Sequence, residues 1–127
     1  MFAPFPFKFH QQTLWLSSAR CIFWEEESAL ILSDLHFGKS GHFTKSDISI
    51  YQSIFKDDLQ KLFSQIQFFK PHTLLIAGDM FHSTANKEID LFLKWRNDIP
   101  DVDFCLIKGN HEILSKTFYK DAGIKIF

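Results

Sequence analysis

Charge of one sign, long apolar runs and cysteine are all scarce in this 127-residue sequence, and each scarcity excludes a class of protein. Lys and Arg number 14 against 15 Asp and Glu, for a formal net charge of −1. No basic stripe announces a nucleic-acid groove, and no acidic or basic tail is present. No apolar run reaches the roughly 18 residues that a membrane-spanning helix needs, so no membrane partner is expected. The start, Met1 to Lys8, is apolar, but it is broken by Pro4 and Pro6 and lacks a basic opening, so it is not read as a signal peptide. The two cysteines, Cys21 and Cys105, lie in apolar strand-like runs. They are expected to be buried free thiols in a reducing compartment, the cytoplasm. There is no internal repeat, low-complexity tract or linker. What is abundant is apolar surface: 46% hydrophobic and 17% aromatic residues, with 16 Phe. That excludes disorder and suits one domain spanning 1–127 with a real core.

Periodicity divides the chain into strands and helices. Gln12–Leu16 alternates and Cys21–Trp24 follows a turn-like Ser17–Arg20, which predicts a hairpin. Ala29–Ser33, Thr73–Ala77 and Asp103–Ile107 are short, continuous apolar runs, as expected of strands buried on both faces. Between the first two, Tyr51, Phe55, Leu59, Leu62, Ile66 and Phe69 recur every three or four residues, predicting a helix capped at Ser46 or Asp47 and ended by Pro71. A shorter helix carries Ile89, Phe92 and Leu93 and ends near Pro100. A helical turn is expected from Leu114 to Tyr119, and a further strand from Ile124. The Phe run (Phe2, Phe5, Phe7, Phe9) reads as core or edge packing, or as a binding patch if exposed.

Strands alternating with helices predict an α/β fold with a mostly parallel or mixed sheet and flanking helices. Active sites in such sheets lie beyond the carboxyl ends of the strands. There the sequence places Asp34-Leu35-His36 after the first buried strand, Gly78-Asp79 after the second, and Gly109-Asn110-His111-Glu112 after the third. In Asp34-x-His36 a carboxylate and an imidazole two residues apart share one side of an extended segment, so both can grip one cation. Gly78 permits a sharp turn that brings Asp79 to the site, where its two oxygens can bridge two cations. Asn110 offers a neutral amide oxygen. His111 follows at once and diverges from it, so it is assigned to the substrate, as a hydrogen-bond donor to phosphoryl oxygen or an acid for the leaving group. Asp-x-His and Gly-Asp alone are weak and Gly-Asn-His-Glu is sharper, because loops seldom need Asn-His for turn geometry; all three, in order, at three strand ends are specific for a metal site. Two metals about 3.5–4 Å apart would generate hydroxide near neutral pH to attack phosphorus and would neutralise the developing charge. The O and N donors suit Mn, Fe, Zn or Ni.

This pattern resembles the calcineurin-like metallophosphoesterase superfamily, whose blocks run Asp-x-His, Gly-Asp, Gly-Asn-His-Asp/Glu, a later His and a final Gly-His-x-His. The resemblance covers about residues 12–127. It implies that Asp34, His36 and Asp79 hold one metal, that Asp79 and Asn110 hold the other, and that His111 contacts phosphate. It implies a four-layer αββα sandwich, of which this chain would be the N-terminal half, and therefore an incomplete domain. No Gly-His-x-His follows Glu112. The chain is accordingly expected to be a truncated gene product, a split-gene half or an N-terminal fragment. Leu14–Leu32 with its two Trp-containing strands, Ser33 to Phe43 and Asp79 to Ser83 also resemble the ligase-associated DNA damage response endonuclease group, encoded with a DNA ligase, a helicase and an exonuclease-like protein. That implies a phosphodiester substrate, DNA among them, and a place in DNA repair.

Lys39, His42 and His82 fall in loops beside the motifs and are candidates for phosphate contact, with solvated loop positions as the plain alternative. Glu112 can orient its loop; His10 and His72 are assigned nothing. Two functions from different classes follow: a metal-dependent phosphodiesterase or endonuclease, and a catalytically incomplete remnant or binding module that pairs its open sheet edge with another chain. A haloacid-dehalogenase-like phosphatase would need a nucleophilic Asp-x-Asp, and His36 occupies the second position.

Overall fold

The computed structural model describes residues 3–33, 48–78, 87–108 and 116–127, with the backbone alone at 48–58, 87–89, 91 and 116. Three antiparallel strands come first: β1 (Phe5–Phe9), β2 (Gln12–Ser17) and β3 (Cys21–Trp24). Four more follow in alternation with helices: β4 (Ala29–Ser33), α1 (Ile48–Phe69), β5 (Thr73–Gly78), α2 (Lys87–Asn97), β6 (Asp103–Lys108), α3 (Lys116–Asp121) and β7 (Ile124–Ile126). All the strands form one seven-stranded mixed sheet in the order β1-β2-β3-β4-β5-β6-β7. β3 joins β4 antiparallel, and β4 to β7 are parallel.

The expected hairpin at 12–24 is present and is latched by side chains. Trp24 Nε1 donates to Gln12 Oε1 at 2.8 Å and Trp15 Nε1 to Glu25 Oε1 at 3.2 Å. The strand β1 was not foreseen from sequence. Its two-residue turn, His10-Gln11, has both residues at positive φ (48° and 66°). That is the backbone of a hairpin turn usually written Asn-Gly, and the usual residues are missing. Of the Phe run, Phe5, Phe7 and Phe9 are exposed on an outermost strand, so the edge placement holds and core packing does not; Phe2 lies outside the described residues. The helix expected to end at Pro71 stops at Phe69, where Lys70 turns the chain at φ 51°. The cap expected at Ser46 or Asp47 lies outside the described residues.

Strand alternation sorts the sheet into two faces. One carries Trp15, Phe23, Leu30, Leu74, Phe104 and Ile124 in register across six strands, with Leu32, Ile76 and Leu106 beside them. Against this face pack Leu59 and Ile66 of α1, Phe92 of α2 and Tyr119 of α3. Phe69 of α1 stacks on Phe23 at 4.8 Å between ring centroids. Leu30, Leu74, Ile76 and Leu106 are fully buried, each stabilising the fold by about 1.5–3 kcal/mol.

The other face differs from the sequence expectation. The apolar runs of β4, β5 and β6 predict strands buried on both sides, yet among the described residues only one side is covered by helices. The cause is topological. The parallel strands are added in one direction without reversal, so right-handed crossovers place α1, α2 and α3 on the same side. Ile22, Trp24, Ile31, Leu75 and Cys105 on the second face remain half-buried, and Ile107 is exposed.

A buried polar contact fixes where α1 lies. Gln65 is buried, and its Oε1 accepts from the Ser17 hydroxyl at 2.9 Å and faces the Cys21 Sγ at 3.8 Å. Burial pushes the Cys21 thiol up from its ordinary value, against a smaller lowering by its contact with Ser17. Both cysteines are free, Cys21 buried as expected and Cys105 only half-buried. They lie on opposite faces and three strand spacings apart, about 14 Å, too far for a disulfide between them.

Candidate metal centre at the carboxyl edge

The parallel register decides where the three motifs are delivered. Ser33, the last residue of β4, pairs with Ala77 of β5. Gly78, the last of β5, pairs with Lys108, the last of β6. Three neighbouring strands therefore end level with one another at one edge. Asp34 is bonded directly to Ser33, Asp79 directly to Gly78, and Asn110 stands two residues beyond Lys108. A trans peptide holds successive Cα atoms 3.8 Å apart and paired strands lie about 4.8 Å apart. Chain connectivity thus ties the first residues of all three motifs to one short stretch of sheet edge.

Asp34, His36, Lys39, His42, Asp79, His82, Asn110 and His111 themselves lie outside the described residues, as does Glu112. Among the described residues no group of three or more His, Cys, Asp or Glu side chains stands together. Gly78 bears directly on the site: its φ is +98°, a conformation that L side chains rarely adopt. The sharp departure expected before Asp79 is therefore built into the backbone at the end of β5.

The donor set fits a divalent cation. One imidazole, two carboxylates and an amide oxygen are hard-to-borderline ligands suited to first-row divalent ions. In sequence they follow three adjacent strands that end level with one another. Sequence reasoning passed over Lys108. Lys108 is exposed at this same edge and brings a cation beside Gly109-Asn110-His111. The remaining described histidine positions agree with their having no assigned role: His10 sits in the β1–β2 turn and His72 precedes β5, both exposed.

Comparisons with known proteins agree with the motifs. The model of the family described as calcineurin-like phosphoesterase matches residues 28–126. No curated protein matches the chain significantly. Among solved structures, the crystal structure of the Pseudomonas putida nuclease MPE superposes with a TM-score of 0.81 at 23% identity. The alignment takes in 98% of this chain and 59% of the nuclease, so the fold is shared throughout these residues while the chain spans under two thirds of the nuclease's length.

Proposed function

This chain belongs to the calcineurin-like phosphoesterase family, and from that premise we propose that it serves metal-dependent hydrolysis of phosphodiesters, with DNA as the substrate class. The observation that supports the proposal is the level ending of β4, β5 and β6, after which the sequence runs directly into Asp34-x-His36, Gly78-Asp79 and Asn110-His111. The nuclease fold neighbour supports the choice of a phosphodiester over a monoester.

Asp34, His36 and Asp79 would hold one divalent ion, and Asp79 with Asn110 a second; Mn fits this donor set, as do Fe, Zn and Ni. The ions, when bound, supply Lewis-acid activation of water and neutralise charge on the phosphoryl oxygens. The protein's own part is positioning and proton transfer. His111 donates to a phosphoryl oxygen or protonates the departing oxygen. Lys39, His42 and His82 belong to the same loops and would orient the phosphate by charge and hydrogen bonds. Together these residues would line one side of a two-metal site. The free thiols fit a cytoplasmic setting, and a role in DNA repair beside a DNA ligase and a helicase follows the motif resemblance.

A second reading, a module that works by binding, is favoured by the exposed Phe5, Phe7 and Phe9 on the outermost strand. Hydrolysis of bis-p-nitrophenyl phosphate with added Mn separates the two. The catalytic reading expects slow, metal-dependent turnover that Asp79→Ala abolishes. Turnover that survives Asp79→Ala, or none in the parent protein, contradicts it.

A further inference from the structure

We propose that two cations brought together by the sheet, Arg20 and Lys108, hold the DNA strand that carries the scissile phosphodiester, each binding a phosphate on its own side of the metal motifs. This rests on the hydrolase reading above and adds to it the line along which the strand lies.

The placement follows from register. Ile22 of β3 pairs with Ile31 of β4, and Ser33 of β4 pairs with Ala77 of β5. Two residues back from Ile22 and two forward from Ile31 bring Arg20, in the β2–β3 turn, to the level of Ser33, the residue bonded to Asp34. Lys108 closes β6 opposite Gly78, the residue bonded to Asp79. The strands lie side by side in the order β3-β4-β5-β6. The ends of β4 and β5, which lead into Asp34-x-His36 and Gly78-Asp79, therefore stand between the two cations. Three strand spacings set Arg20 and Lys108 about 14 Å apart. One phosphodiester group is too small to meet both. At about 3.4 Å of helix axis per phosphate of one strand, the span corresponds to about four nucleotides.

The chemistry of the two positions fits phosphate. Both are exposed, and among the described residues neither makes an ion pair or a side-chain hydrogen bond. Arg20 sits in a closed turn: its N–H donates to the Ser17 carbonyl at 3.1 Å, and its φ is 63°. Gly or Asn is the commoner occupant of that conformation, yet the turn carries a guanidinium, whose fork grips a phosphate through two hydrogen bonds. Lys108 adds a point charge. The acidic turns lie at the opposite edge, with Glu25, Glu26 and Glu27 before β4 and Asp98 and Asp101 before β6, where they repel a polyanion. No basic stripe shows in the sequence, because Arg20 and Lys108 are far apart in the chain and meet only through strand order.

The test is fluorescence anisotropy of a fluorescein-labelled oligothymidylate with the purified chain, in metal-free buffer across a range of salt, so that affinity is read without cleavage. The parent should bind, with affinity falling as salt rises. Arg20→Gln and Lys108→Gln should each weaken binding about three- to tenfold at low salt and lower the salt slope by about 0.7, and the double variant should lower it by about 1.4. Lys120→Gln removes the same charge from the last turn of α3, which leads to the start of β7 at the opposite edge, and should leave the slope unchanged. Circular dichroism should match the parent throughout. A parent that binds no oligothymidylate overturns the proposal, as do Arg20 and Lys108 variants with the parent's slope. An equal loss in Lys120→Gln overturns it too, because net charge and not position would then govern binding. Manganese-dependent hydrolysis of bis-p-nitrophenyl phosphate by the parent reads the hydrolase function separately. Turnover there, with DNA affinity indifferent to both substitutions, removes the strand path and leaves the hydrolase reading standing.

Discussion

Gly78 and Lys108 stand opposite each other as the last paired residues of β5 and β6, and Gly78 leaves that pair at φ +98°. The pair marks the level at which the sheet ends and the chain turns towards Asp79 and Asn110. The turn depends on Gly78 having no side chain. Gly78→Ala should lower stability by about 1–2 kcal/mol, read as a shift of the urea midpoint without a change in slope. Because Asp79 is the next residue, the same variant should bind Mn more weakly than parent. Unchanged stability and metal affinity would mean that the turn does not position Asp79.

Gln65 is the polar anchor between α1 and the hairpin. Gln65→Leu keeps the volume and removes the acceptor for Ser17 and Cys21, so destabilisation of about 1–3 kcal/mol is expected from the stranded hydroxyl. Ser17→Ala added to it should recover part of the loss, because both partners are then apolar. Thermal melts of the single and double variants check this; simple additivity would contradict it.

Arg96 joins three segments near the other end of β6. Its guanidinium carbon lies 4.4 Å from the centre of the Phe104 ring, Nη1 donates to the Ile99 carbonyl at 2.9 Å and Nη2 to the Gly123 carbonyl at 3.4 Å. Desolvation lowers its pKa from the ordinary value, partly offset by Asp103. A planar fork makes these contacts together and an ammonium cannot. Arg96→Lys should therefore cost about as much as Arg96→Ala, about 2 kcal/mol by denaturation, with full rescue by Lys contradicting the stacked-fork role.

Cys21 gives a pH dependence of definite sign. Burial raises its pKa above the reference of 9.0, so above that pH the unfolded chain loses the thiol proton before the folded chain does. The folded state then binds more protons, and stability falls as pH rises. Below 9.0 the thiol makes no difference to the slope. The decline should be shallower in Cys21→Ala, measured by urea melts from pH 8 upward; identical slopes would show that the thiol is not protected.

How far the sequence revealed this structure depended on which signal was physical and local. The continuous apolar runs located β4, β5 and β6, and the spacing of Leu59, Leu62, Ile66 and Phe69 located α1. Short motifs directly after those runs then indicated the site's edge. The strand β1 escaped because His10-Gln11 adopts a hairpin turn without the Gly or Asn that signals one. Single-sided burial escaped because an apolar run reports that a face avoids water, not what covers it. Only strand order and crossover handedness show that the described helices lie on one side. The role of Gln65 also escaped, since one Gln among the four of an amphipathic helix looks like a solvated position until the hairpin closes over it.

Manganese binding by the intact chain tests the central claim most directly, because it asks whether the motif residues form a metal site at all. Titration followed by electron paramagnetic resonance should show at least one bound ion, with affinity falling at least about tenfold in Asp79→Ala while the circular dichroism spectrum is unchanged. Equal affinity in the parent and Asp79→Ala, or no binding by the folded parent, would contradict the assignment of Asp34, His36, Asp79 and Asn110 to a metal centre.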